Sequence, residues 1–98
     1  MEELRFEWDP RNAKSNATKH GVSFAEASTA FYDDNGLVIA DPDHSEAEER
    51  FILLGLSAPV RLVVVVHCFR DEDAIIRIIS ARKATPAESQ QYQEQAKQ

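Results

Sequence analysis

Three apolar runs follow one another in the second half of the chain, and they restrict its fold more than any other feature. They are Phe51-Ile52-Leu53-Leu54-Gly55-Leu56, residues 62–69 and residues 75–80, separated by short breaks that contain Ser57-Ala58-Pro59 and an acidic turn at Asp71-Glu72-Asp73. Strand-like runs with such short breaks read as an antiparallel meander. Their near-continuous apolarity means that both faces of the sheet are largely covered. One charge interrupts the pattern: Arg77 stands inside Ile75-Ile76-Arg77-Ile78-Ile79. A guanidinium is costly to bury unless something anionic meets it, so either a carboxylate or a phosphate is implied.

The remaining elements follow from period and punctuation. Leu4, Phe6 and Trp8 alternate with Arg5 and Glu7, which predicts a half-buried strand over 3–8. Asp9-Pro10 supplies an N-cap and a first-turn proline, and Gly21 a stop, giving a helix over 10–20. Ser23-Phe24-Ala25-Glu26 is a capping box, with Phe24, Ala27 and Phe31 on one face, so a second helix is expected over 24–32. Asp33-Asp34-Asn35-Gly36 is a turn, Leu37-Val38-Ile39 a strand and 41–49 a solvated loop. Thr85-Pro86-Ala87-Glu88 opens a last helix over 86–96, whose apolar face (Ala87, Tyr92, Ala96) is thin enough to predict light packing. The order is β-α-α-β-β-β-β-α. This is an α+β arrangement, a mainly antiparallel sheet with helices packed on it, and the 98 residues fit a single domain, 1–98.

Charge bears on partners. A net charge of −6 argues against a simple nucleic-acid binder, because phosphate contacts usually require a basic surface. Distribution softens that objection: of the 17 acidic residues, eight lie in the runs Asp41, Asp43, Glu46, Glu48, Glu49 and Asp71, Glu72, Asp73, leaving nine against 11 Lys and Arg. Acidic loops also suit a basic partner. The single Cys68 cannot form an internal disulfide and, in an apolar strand, reads as a buried small hydrophobe, which points to the cytoplasm. An acidic, polar N-terminus and the lack of a long apolar stretch predict neither a secretory signal nor a membrane span. His44, among Asp41, Asp43 and Glu46, invites a metal reading, but a calcium loop starting at Asp41 would want Gly at 46 and Glu at 52, where the chain has Glu46 and Ile52. No metal and no cofactor is expected.

Phe6-Glu7-Trp8-Asp9, Asn16 with Lys19-His20-Gly21-Val22-Ser23-Phe24, Ser45 through Glu49-Arg50, and Ile76-Arg77-Ile78-Ile79-Ser80-Ala81-Arg82-Lys83-Ala84 together resemble the BrnT family of bacterial toxins. The likeness spans nearly the whole chain. It implies a compact RelE-like ribonuclease fold that cuts RNA without metal or cofactor and is neutralised by a BrnA-like, DNA-binding antitoxin. It also implies a hetero-oligomer with that antitoxin, which represses its own operon and reaches operator DNA only through it. Family members usually carry Lys where this chain has Asn12, and often Thr-Glu where it has Cys68-Phe69.

Metal-free cleavage uses the adjacent 2′-hydroxyl as nucleophile, so the protein must remove a proton, protonate the departing 5′-oxygen and stabilise charge on the phosphoryl oxygens. Arg77 is the candidate phosphate clamp, against a structural pair with a loop acid. Arg82 and Lys83, where the last strand meets the last helix, and Lys19 are candidate RNA contacts, against ordinary solvated charge. Arg50 is a candidate second clamp or a surface ion pair with a neighbouring carboxylate. For proton transfer the candidates are His20, at a helix C-terminus that favours the imidazolium, His67 on the strand face of Val63, Val65 and Phe69, and Glu49. Their bland alternatives are a capping histidine, a hydrogen-bonded core histidine and an exposed carboxylate of ordinary acidity. A reading of another class remains beside the ribonuclease: a non-catalytic module whose acidic loops and last helix bind a basic, DNA-contacting partner.

Overall fold

A computed structural model describes residues 3–42, 48–58 and 60–96; His44 and most of the acidic loop around it lie outside the described residues. The elements are β1 (Phe6–Glu7), α1 (Pro10–His20), α2 (Phe24–Thr29) with a single 3-10 turn (Ala30–Tyr32), β2 (Leu37–Ala40), β3 (Phe51–Ser57), β4 (Arg61–Arg70), β5 (Ile75–Lys83) and α3 (Pro86–Ala96). They form a five-stranded sheet of order β1-β5-β4-β3-β2. Every neighbouring pair is antiparallel except β1 with β5, which run parallel.

The meander forms where the apolar runs predict it, with longer strands. The first strand is shorter than the expected 3–8, because β5 offers it partners only at Ile76 and Arg77. Beyond them the edge of β5 is taken over by α1. Asn16, fully inside, donates through Nδ2 to the carbonyls of Ala81 (2.8 Å) and Val22 (3.0 Å) and accepts at Oδ1 from the Ala81 N–H (3.1 Å). Its amide thus pairs with Ala81 as a neighbouring strand would. One turn earlier, Asn12 Nδ2 donates to the Ile79 carbonyl at 2.6 Å. The helix replaces the missing length of β1, and buried backbone groups stay satisfied.

Asp9 caps α1 by accepting from the Arg11 and Asn12 N–H groups, and Gly21 ends it in the left-handed conformation at φ 70°. The second helix tightens to 3-10 geometry after Thr29, where the Ala30 carbonyl crosses β3 at Gly55. A Cβ on Gly55 would lie 3.0 Å from that oxygen.

Each sheet face has its own cover. On one, α1, α2 and the 3-10 turn enclose Val22, Phe24, Ala27, Ala30, Leu53, Val63, Val65, Ile78 and Ala81, joined by Phe6, Trp8 and Phe31. Each buried large side chain there contributes on the order of 1.5–3 kcal/mol. On the other, α3 covers Leu54 and Val64 through Tyr92, with Leu37, Ile52, Leu56 and Leu62 around them. Tyr92 also donates its hydroxyl to Asp33 Oδ2 at 2.6 Å, an oxygen that already accepts from the Leu56 N–H at 2.8 Å. Burial first, and then this bond, push the Tyr92 phenol up to about 12. A thin apolar face is therefore supplemented by one buried polar latch.

Candidate active site

In a regular strand, residues five apart point to opposite faces. Arg77 and Arg82 do not. Val66 pairs with Ser80 but His67 pairs with Ile78, so β5 carries one extra residue, Ile79, opposite a single step of β4. This bulge is the one whose carbonyl Asn12 engages. It shifts the alternation: Ile78 and Ala81, three apart, both enter the helix-covered core, and Arg77 and Arg82 both emerge on the other face. Arg70 shares that face, being even-spaced along β4 from Val64, which packs under α3. Since α3 covers only the β2–β3 side and the start of β4, the β1–β5 side of this face is open and carries guanidinium groups. Bulges often re-aim side chains in this way beside functional sites.

A carboxylate meets each of these guanidiniums. Arg77 Nη1 donates to Glu7 Oε2 at 2.6 Å, with side chains 32% and 38% exposed. The parallel register sets Glu7 directly beside Arg77. Arg82 grips Glu88 of α3 with both fork nitrogens, at 2.8 and 2.9 Å. That fork, helped by the Thr85 N–H, holds the Glu88 carboxyl down at about 2. Arg70 Nη1 lies 2.9 Å from Glu48 Oε2. Between Arg70 and Arg77 sits Cys68, buried, its thiol pushed up chiefly by burial and then by Glu48. It is an inert wall, not a nucleophile.

The other candidates lie elsewhere. His67 is 1% exposed and belongs to the helix-covered face, with its ring edge-on to Phe31 at 4.7 Å and beside Phe51 and Phe69. Its Nδ1–H donates to the Val65 carbonyl at 3.1 Å, and burial lowers its pKa, so the ring is neutral. The sheet stands between it and Arg77, which removes it from any shared cleft. His20 is half-buried at the end of α1, the helix packed on that same side. Glu49 is exposed beside Phe51, Phe69 and Asp73 at the rim. Arg50 precedes β3, and its carbonyl accepts from the Asp41 N–H at 2.8 Å. Lys19 lies on the outer side of α1 with Arg11 and Lys14, and Lys83 is exposed at the end of β5. Arg77 and Arg82 thus share one sheet face, four β4 positions apart, and neither imidazole lies on it.

Glu7 is not among the candidate site residues that the sequence suggests. Alternation alone shows that it points away from Phe6 and Trp8, but only the long-range parallel register reveals Arg77 beside it. Asn16, in turn, is architectural. Among the described residues no group of His, Cys, Asp and Glu could hold a metal ion, and no helix is long and apolar enough to cross a membrane.

A small α+β domain with an open, arginine-bearing sheet face is the class that fold and geometry define. Residues 8–88 match the family model described as the ribonuclease toxin BrnT of type II toxin-antitoxin systems. The chain belongs to that family. In fold it is similar to the crystal structure of the Brucella abortus ribonuclease toxin BrnT, with a TM-score of 0.61 at 20% identity over 85% of this chain and 99% of that one. No curated protein matches the sequence significantly.

Proposed function

We propose that this ribonuclease toxin cleaves RNA without a metal, holding the scissile phosphate on the open sheet face through Arg77 while the neighbouring 2′-hydroxyl attacks phosphorus. The observation that carries this reading is the bulge at Ile79, which aims Arg77 and Arg82 to one accessible side of a buried sheet. A guanidinium never loses its charge near neutral pH, and its fork suits two phosphoryl oxygens. Arg82 and Arg70 flank Arg77 on this face and would meet adjacent backbone phosphates. The type II antitoxin silences the toxin, and the proposed complex contacts operator DNA through the antitoxin and represses its own operon.

Purified protein should cut single-stranded RNA in excess EDTA, and its expression should arrest growth. Arg77→Ala should abolish both while leaving the thermal unfolding transition in place. Full cleavage by Arg77→Ala, or cleavage that requires added divalent ions, refutes the proposal. The pairing of Arg70, Arg77 and Arg82 with carboxylates favours a second reading, a non-catalytic module for a basic partner. That reading requires tight complex formation, intact RNA and growth indifferent to Arg77→Ala.

A further inference from the structure

Neither imidazole reaches Arg77, so the proton acceptor for a 2′-hydroxyl must come from the open face itself. Among the described residues three carboxylates pair with the guanidiniums of that face, and two are committed; Asp9, which also acts on Arg77, is held by the Arg11 and Asn12 N–H groups as the cap of α1. Glu88 gives both oxygens to the Arg82 fork and one of them also to the Thr85 N–H. Glu48 spans Arg70 and the Cys68 thiol and is carried by the connection into β3 rather than by a strand. Glu7 differs from both. Its β1 backbone is fixed by the register with Ile76 and Arg77 and by the Ile76 N–H donating to the Arg5 carbonyl at 2.9 Å. One of its oxygens, Oε2, bonds Arg77. The other, Oε1, takes no hydrogen bond from any described residue, and the side chain is 38% exposed.

We infer that Glu7 is a catalytic residue, the general base that accepts the 2′-hydroxyl proton of an RNA strand whose phosphate Arg77 holds. The inference rests on the ribonuclease reading above. Arg77 has five N–H donors, and Glu7 engages only Nη1, so the same guanidinium orients the base and presents its remaining edge to a phosphate. With base and clamp 2.6 Å apart, a hydroxyl on Glu7 and a phosphoryl oxygen on Arg77 are neighbours, as the 2′-oxygen and the adjacent phosphate are in RNA. The step balances as a transesterification. The 2′-oxygen–phosphorus bond forms, the phosphorus–5′-oxygen bond breaks, and the proton taken by Glu7 returns through water to the departing 5′-oxygen. A 2′,3′-cyclic phosphate and a 5′-hydroxyl result.

The test uses the whole chain, a fluorophore-labelled single-stranded RNA of mixed sequence, and the same oligonucleotide with every 2′-hydroxyl methylated as an uncleavable ligand. Glu7→Gln is expected to lower the single-turnover rate about 10²–10⁴-fold, the usual contribution of a general base. It should bind the methylated strand at least as tightly as the wild type, because a negative charge beside Arg77 is removed. The acid limb of the pH–rate profile should vanish with it. Glu7→Asp keeps the charge but withdraws the oxygen by one methylene, and a loss of at least about tenfold is expected. A Glu7→Gln rate within threefold of wild type, or parallel losses of binding and rate, overturns the assignment. Should Glu7→Gln fail to fold, an undiminished rate in Glu7→Asp overturns it equally. A wild-type protein that leaves RNA intact fails the ribonuclease reading itself, an outcome distinct from active wild type with active variants.

Discussion

Replacing Asn16 with alanine should unfold much of this protein's stability margin without touching the proposed RNA surface. The buried amide makes three hydrogen bonds, to the Val22 carbonyl and to both backbone groups of Ala81. Each contributes about 1 kcal/mol net, and alanine leaves buried backbone groups without partners, so a loss of about 3 kcal/mol is expected. A domain of 98 residues has about 5–15 kcal/mol in total, so this is a large fraction. The melting temperature should fall by about 12–24 °C, at about 4–8 °C per kcal/mol. The single tryptophan, Trp8, packs edge-on to Phe24 at 6.0 Å and reports directly on the helix-covered core, so urea titration followed by its fluorescence measures the change. Asn16→Asp should be worse than alanine at neutral pH, since a carboxylate would face two carbonyl oxygens. Asn12→Ala, with one exposed bond, should lose only about 0.5–1 kcal/mol. An Asn16→Ala protein within about 1 kcal/mol of wild type would refute the idea that this amide stands in for a strand.

The pH dependence of stability should have two separable limbs, both read by urea titration across pH. Burial lowers the folded pKa of His67, so the unfolded chain binds its proton first; stability is complete above about 6.5 and falls as pH drops below that value, and His67→Phe should flatten this limb. Glu88 has its folded pKa depressed to about 2, so its contribution is present above about 4.5 and is lost as pH falls from there towards 2. Because Arg82 and Glu88 are 42% and 29% exposed, screening reduces that contribution to about 1 kcal/mol; Glu88→Gln should remove it and shrink the low-pH limb, which Glu26 and Asp33 share because their folded pKa values are also lowered, and an unchanged limb would contradict the pairing.

The local parts of the fold were legible because their causes are local. Asp9-Pro10 and Gly21 bound α1, Thr85 and Glu88 cap α3, and the apolar runs form the meander. What could not be read was set by pairings between distant residues. The unbroken Ile75-Ile76 and Ile78-Ile79 flanks conceal which residue bulges, so simple alternation assigns Arg77 and Arg82 to different faces. His67 sits on the face of Val63 and Val65, as alternation gives, but its burial depends on Phe31 arriving from the 3-10 turn. Tyr92 was legible as part of a thin apolar stripe, whereas its bond to Asp33 spans 59 positions and has no local signature. A lone guanidinium among isoleucines pointed to Arg77 as a candidate clamp, yet the place of Glu7 beside it became visible only with the parallel register in hand.

That register has a consequence for synthesis. Glu7 precedes its partner on β5 by 70 positions, so the β2–β3 and β3–β4 hairpins can close while β1 still has nothing to join. A parallel strand of two residues does not hold itself. Chains that stop before β5 therefore lack the composite Glu7–Arg77 surface altogether.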